Sequence, residues 1–413
     1  MNAFFKKRVL PSFAVLLFAL SPSCSKPDIP QSSADPIILQ PQTRAILGQT
    51  NSFAFDLFST ISQQSQTNLF LSPYSVSGVL GMLYNGAAGE TKEEIAAVLG
   101  MSDYSPQQVN AYYSELTKAL LKVDTKTTLS LANAIWAKKG YSLRNNFVAL
   151  NKEYYDAEVS TLDFSQASSL KTINDWCNKQ TKGTIPKIVD NIDPSTVVIL
   201  ANAIYFKSLW TDKFDKANTT QKPFHNYDGS SSSVPMMHQK PLKLRYAQMD
   251  DCGMVTLPYS NKAFAMNLIL PDENADIETL IAALDGDLWQ TMIAHRESVT
   301  VTLSMPRFKV ENKIENLPEI LSTLGMPLAF NPLYANFSDM MDMQTYISKM
   351  IQKSYISVDE SGTEAAAVTV AFMEKTSAPN PQKVTMVFDR PFIYLITEQS
   401  TGAILFMGKV TKL

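Results

Sequence analysis

The stretch that most restricts this chain is Glu360-Ser361-Gly362-Thr363-Glu364-Ala365-Ala366-Ala367-Val368-Thr369-Val370-Ala371-Phe372-Met373-Glu374-Lys375. Taken every second residue, positions 363 to 373 are Thr, Ala, Ala, Thr, Ala and Met, a small and uncharged face. The opposite face, from Glu364 to Glu374, carries the bulk and the charge. Successive side chains of an extended chain point to opposite sides, so this segment can slide between two existing strands with its small face against a packed core. Proline appears only later, at Pro379 and Pro381. A second reading stays open, because alanines favour helix and Thr363 can cap one. The flanking segments, Ile347 to Val358 and Val384 to Phe388, read as strands, which leaves about 25 residues to join them over the surface. A connection that long inside a compact domain is usually functional or disordered.

Elsewhere helices come early and strands late. Asn51 to Gln63 has helical periodicity, and Asn68 to Leu71 reads as extended. Ser72 is placed to cap a helix that opens at Pro73 and runs to about Tyr84. Thr91 and Glu94 have the spacing of a capping box, with Gly100 as the stop of that helix. Leu129, Leu131 and Ile135 alternate as in a strand. Val197 to Phe206 is almost unbroken apolar sequence, the pattern of a strand covered on both faces at the centre of a sheet. Its one polar residue, Asn202, must find hydrogen-bond partners there, as a satisfied core amide or as part of a switch. Strands return at Val299 to Val310 and as a C-terminal pair, Phe392 to Thr397 and Ala403 to Val410. The expectation is one large α+β domain.

Chemistry-bearing patterns are missing. The three histidines, His225, His238 and His295, show no metal-ligand spacing, and there is neither a Gly-rich phosphate loop nor a GxSxG elbow. No catalytic residue, metal or cofactor is expected. Cys177 and Cys252 lie in no CxxC pattern and read as small buried hydrophobes. A net charge of -3, with Lys and Arg scattered along the 413 residues, gives no footprint for nucleic acid.

The N-terminus reads as an address. Lys6, Lys7 and Arg8 precede an apolar run from Val9 to Leu20, too short to span a bilayer but suited to a signal peptide over 1–23. Small residues then lead into Cys24 and a stretch rich in Ser, Pro and Asp, which resembles a bacterial lipoprotein signal with Cys24 lipidated and 24–44 as a polar tether. In that pattern Leu usually stands three positions before the cysteine, where this chain has Ser21. Simple cleavage and release is the other outcome. Either way the protein is expected to be exported, lipid-anchored on a bacterial outer membrane or periplasmic, otherwise secreted, and to meet a membrane only through Cys24.

Val358-Asp359-Glu360-Ser361-Gly362-Thr363-Glu364-Ala365-Ala366-Ala367 resembles the hinge at the start of a serpin reactive-centre loop. Asn68 to Pro73 with Ser75, Asn174-Asp175-Trp176, Asn202 to Phe206 with Trp210, Leu257-Pro258-Tyr259, Met305 to Phe308, Asp389 to Phe392 and Phe406 to Val410 are similar to serpin signatures in the family's order. The resemblance covers 45–413. It implies three β-sheets with eight to nine helices, an exposed loop, a monomer, and suicide inhibition. A target protease attacks the loop and forms an acyl-enzyme, and the loop inserts as a new central strand before hydrolysis. Pairing about fifteen residues gains roughly 1 kcal/mol each, while ordering each costs about 1 to 2 kcal/mol. The surplus must come from burial and relief of strain, so an unpaired buried charge on the inserting face would stall the process. The small face starting at Thr363 has none. A non-inhibitory serpin that binds or protects is the alternative.

By position, Ser72, Ser75 and Asn202 resemble the polar gate under the sheet, and Gln352 stands where the family usually has His. Arg307 and Glu360, with Trp210, match the cluster where the loop enters, and an ion pair is expected there. Glu360, Gly362, Thr363, Glu364, Ala365, Ala366 and Ala367 form the hinge. The family's count puts the cut between Thr376 and Ser377. Lys375 is the more recognisable bait, so cleavage at Lys375-Thr376 by a trypsin-like enzyme is favoured, with elastase-, chymotrypsin- or papain-like targets open.

Overall fold

The computed structural model describes residues 33–363 and 383–413. Cys24, the hinge residues Glu364, Ala365, Ala366 and Ala367, and the bond residues Lys375, Thr376 and Ser377 lie outside the described residues. The helices are α1 (Pro41–Ser62), α2 (Pro73–Tyr84), α3 (Gly89–Val98), α4 (Pro106–Leu120), α5 (Asn145–Tyr155), α6 (Ala167–Gln180), α7 (Ile277–Ala283), α8 (Gly286–Ala294) and α9 (Leu317–Leu324). The strands are β1 (Leu69–Leu71), β2 (Thr128–Lys138), β3 (Glu158–Leu162), β4 (Val198–Leu209), β5 (Thr220–His225), β6 (Ser231–Gln248), β7 (Cys252–Pro258) and β8 (Phe264–Pro271). They continue as β9 (Glu297–Pro306), β10 (Phe308–Ile314), β11 (Gln352–Asp359), β12 (Gly362–Thr363), β13 (Lys383–Val387), β14 (Phe392–Glu398) and β15 (Ile404–Val410).

One sheet has the order β10-β11-β12-β4-β2-β3; the other runs β1-β15-β14-β8-β7-β6-β9-β13, with β5 paired to β6. Three sheets were implied by the resemblance. Among the described residues two of them are continuous, because the 18-residue β6 pairs with β7 near its end and with β9 along most of its length.

Helix α2 joins the layers. All 12 of its residues are buried, as a helix packed on every side must be, and it lies against β4 of one sheet and β15 of the other. Ser72 caps it, its hydroxyl accepting from the Ser75 N–H at 3.1 Å. On the other face of β4, Ala201 and Ala203 pack under Ile173, Trp176 and Cys177 of α6. The strand is thus covered on both sides, although Val198, Ile199 and Leu200 remain half-buried.

Boundaries differ from the sequence reading at several places. The strand expected from Ile347 opens only at Gln352, the Ile347 N–H donating instead to the Ala329 carbonyl at 3.0 Å. Helix α1 opens at Pro41 rather than Asn51, because Glu115 of α4 accepts from the Gln40 N–H and the Thr43 hydroxyl and so caps it from outside. Helix α3 opens at Gly89 rather than Thr91. Thr91 accepts instead from the Asn336 N–H at 3.0 Å, and Glu94 from the Leu328 N–H at 2.9 Å. The strand expected from Val299 to Val310 breaks at Arg307, and its halves join different sheets. Residues 33–40, assigned to the tether, run along the folded body: Ala34 N–H donates to the Asn261 carbonyl at 2.9 Å, Ile37 N–H to Ser400 Oγ at 2.8 Å, and Leu39 is buried. Cys177 and Cys252 are buried free thiols, pushed up by burial to about 11 and about 12, and so stay protonated and unreactive near neutrality.

Candidate functional site

β4 and β11 flank the short β12 in the six-stranded sheet. Gly362 pairs with Asp359 of β11 and Leu209 of β4; Thr363 pairs with Val358 and Ser208. Among the described residues no other backbone pairing joins the two strands. Next to Thr363, Ile204 and Phe206 of β4 and Ser354 and Ile356 of β11 line a cavity.

The seat of these two residues is closely fitted. Gly362 has φ +154°, and a Cβ there would stand 2.1 Å from the Ser208 carbonyl oxygen and 2.7 Å from Leu209 Cα. Only glycine allows that approach. Thr363 is buried, and its hydroxyl meets the Tyr259 hydroxyl at 2.6 Å. Tyr259 stacks on Trp210, with ring centroids 4.4 Å apart. Trp210 in turn donates from Nε1 to the Asp359 carbonyl and from its backbone N–H to the Ser361 carbonyl, both at 2.9 Å.

Glu360 is the first of the two turn residues between β11 and β12, its side chain only 2% exposed, and accepts from both Arg307 Nε (2.7 and 2.8 Å) and Nη2 (2.5 Å). The Thr219 hydroxyl donates to the same carboxylate at 2.5 Å. Burial alone would raise the Glu360 carboxyl, but the Arg307 and Thr219 donors outweigh it and hold it below its ordinary value. The ion pair, Trp210 and the described hinge residues Glu360, Gly362 and Thr363 therefore form one cluster.

Farther along the same strands lies a second polar group. Gln352 of β11 accepts the Ser72 N–H at 3.0 Å and donates to the Ser72 carbonyl at 2.9 Å. Ser72 Oγ donates to the Leu405 carbonyl at 2.7 Å. The Ser75 hydroxyl donates to Asn202 Oδ1, so Ser72, Ser75, Asn202 and Gln352 meet at one helix start. One lip of the interval, β11, is held through Gln352 and the other, β4, through Asn202. Two participants were not singled out from sequence. Asn133 stands directly opposite Asn202 on β2, accepts its Nδ2 at 2.7 Å and donates to the Tyr155 carbonyl at 2.7 Å. A lone amide in an apolar strand was the available signal, the one that marked Asn202. Tyr259 belonged to a quoted motif, but no local pattern pairs it with a residue 104 positions away.

A family model described as serpin (serine protease inhibitor) matches residues 48–413. The chain belongs to the serpin family. An uncharacterized serpin-like protein of Thermococcus kodakarensis is 33% identical to it over 398 residues, covering 94% of this chain and 90% of that protein. Leukocyte elastase inhibitor of Homo sapiens is 33% identical over 372 residues, covering 86% and 96%. Among solved structures, the thermophilic serpin tengpin in its native state matches with a TM-score of 0.82 and 32% identity, over 92% of this chain and 97% of tengpin. Thyroxine-binding globulin in complex with thyroxine matches with a TM-score of 0.79 and 29% identity, over 89% and 99%. Those relatives include a protein named as an elastase inhibitor and one named for binding thyroxine, so the serpin fold leaves the choice of function to the site.

Proposed function

We propose that this serpin is a suicide-type inhibitor of a serine protease that offers the segment after Thr363 as bait and, once cut, draws it between β4 and β11. The seating of Gly362 and Thr363 in that interval, with no other described pairing across it, carries the reading. The protease serine attacks a carbonyl in the bait, the C–N bond breaks, the new amine leaves, and an ester links the bait to the protease. Insertion then competes with water for that ester. Gain from strand addition and from relief of a strained sheet drives the competition. Thr363 is the first residue of the small face, and its hydroxyl is already satisfied inside. The favoured bond is Lys375-Thr376, with Thr376-Ser377 next, and the favoured target is trypsin-like. Export, with a lipid anchor at Cys24, rests on the signal pattern and is checked by lipid labelling that Cys24→Ser removes.

The test is incubation with trypsin, elastase, chymotrypsin and papain, followed by denaturing electrophoresis and mass spectrometry. A covalent adduct at one bond between 372 and 380, together with a cut form more heat-resistant than the intact one, is expected. Cleavage without adduct or added heat resistance overturns the reading in favour of a carrier or protective serpin.

A further inference from the structure

Strand β13 brings the chain back into the described residues at Lys383. Its register sets Lys383 beside Thr300 and Thr385 beside Thr302 of β9. From the other side of β9, Lys243 of β6 stands opposite Thr300 and Arg245 opposite Ser298. Residues directly opposite in a sheet project to the same face. The alternate positions Leu244, Val299, Val301, Leu303 and Met386 are all buried, which makes theirs the core side. Lys243, Arg245, Lys383 and Thr385 are exposed on the other side, and the register between the cations holds only Ser298 and Thr300. None of the three cations makes an ion pair with a described residue.

A strip of like charges with hydroxyls and no ion-pair partner among the described residues is poised for an external anion, since cross-strand cations only repel one another. Its place indicates which one. The strip starts at Lys383, the first described residue after the bait, so a protease holding the favoured bond is tethered to it by a short run of chain. We propose that Lys243, Arg245 and Lys383 form a docking strip for an acidic surface of the target protease, steering the encounter before the bait is engaged. The proposal rests on the inhibitor reading above. Opposite surface charges raise association rates more than they deepen the final complex, and salt screens them.

Anionic and cationic trypsin share one active site but differ in surface charge, which makes them suitable probes. With the active-site serine of each replaced by alanine, binding to the full chain is measured without bond cleavage and therefore without insertion. Anionic trypsin is expected to associate at least about tenfold faster than cationic trypsin at low salt, and the advantage shrinks as salt shortens the screening length to about 8 Å. Lys243→Glu with Arg245→Glu should remove that advantage while leaving the thermal midpoint within a few degrees of the parent. Equal rates for the two trypsins, or a variant that keeps the preference, overturn the proposal. A variant-sensitive affinity for a sulfated polysaccharide with no trypsin preference also overturns it, in favour of a polyanion site. Failure of the inhibitor reading has a different signature: active trypsin gives no adduct, whatever the docking rates.

Discussion

At the head of the interval β4 and β11 are joined through the backbone of Gly362 and Thr363, whereas farther along the described links are side chains that meet at the start of α2. The upper group contains a buried carboxylate, an arginine, two stacked rings and a glycine that nothing larger can replace. The lower group is neutral amide and hydroxyl throughout. The proposed insertion beyond Thr363 would make opposite demands on them. The upper cluster would persist at the start of the new strand, while the lower would give way, since Gln352 and Asn202 sit on the two strands that insertion would part. Bonds of about 1 kcal/mol each suit the second task, and charge-assisted ones of about 1.5–3 kcal/mol suit the first.

The largest expected effect comes from breaking the upper group at its innermost point. Thr363→Arg would carry a guanidinium to the place where the hydroxyl meets Tyr259, and both described carboxylates of the cluster are engaged, Glu360 by Arg307 and Asp359 by the Ser361 and Gly362 N–H groups. An uncompensated buried charge costs several kcal/mol, so insertion should fall behind hydrolysis by more than about tenfold. The variant is expected to be cut at the parent rate while the covalent adduct nearly disappears on a denaturing gel. Unchanged adduct yield would mean that the seat of residue 363 between β4 and β11 does not govern trapping.

Acid should separate the two groups by a smaller amount. The Glu360 carboxyl sits below its ordinary 4.5 in the folded protein, so its contribution is complete above that value and is lost as pH falls through the lower folded value. The lower group holds no ionisable side chain and should not respond. Fluorescence of Trp210, which stacks on Tyr259 and bonds Asp359, is the reporter, compared with a Trp210→Phe blank. The expected change has its midpoint below 4.5 in the parent and is absent in Glu360→Gln. A midpoint above 4.5 would mean that burial, not Arg307, governs the carboxyl.

The same division separates what was legible in the sequence from what was not. Gly362 and Thr363 stood out because a glycine followed by a run of small residues on one face is a pattern of composition, and these two residues do sit between β4 and β11. Ser72 was readable because capping is local. The early start of α1 was not, since its cap comes from Glu115 on another helix. Thr91 and Glu94 have capping-box spacing yet serve distant N–H groups, because residues 328 and 336 fold back over them and tertiary partners outcompete the local ones. The continuity of β6 through two sheets was also hidden, as its residue pattern alternates in the same way whichever neighbour it pairs with.

The finest test concerns Gln352, where the family's usual histidine is replaced by an amide. An amide keeps an acceptor oxygen and a donor NH2 group at every pH, and here both groups bond Ser72. A neutral imidazole also offers one of each, so Gln352→His should be tolerated within about 1 kcal/mol above neutrality. Protonation turns the acceptor into a second donor, which would face the Ser72 N–H with nothing to receive it. The buried imidazole is thereby favoured in its neutral form and its folded pKa is depressed. Its contribution is intact above the unfolded value of about 6.5 and is lost as pH falls below it. The thermal midpoint of the variant should match the parent at about pH 8 and fall below it by a few degrees at about pH 5, a pH-sensitive gate where the natural chain has none. If the variant tracks the parent across that range, the Ser72 N–H does not depend on residue 352, and β11 must be held at this level by some other contact.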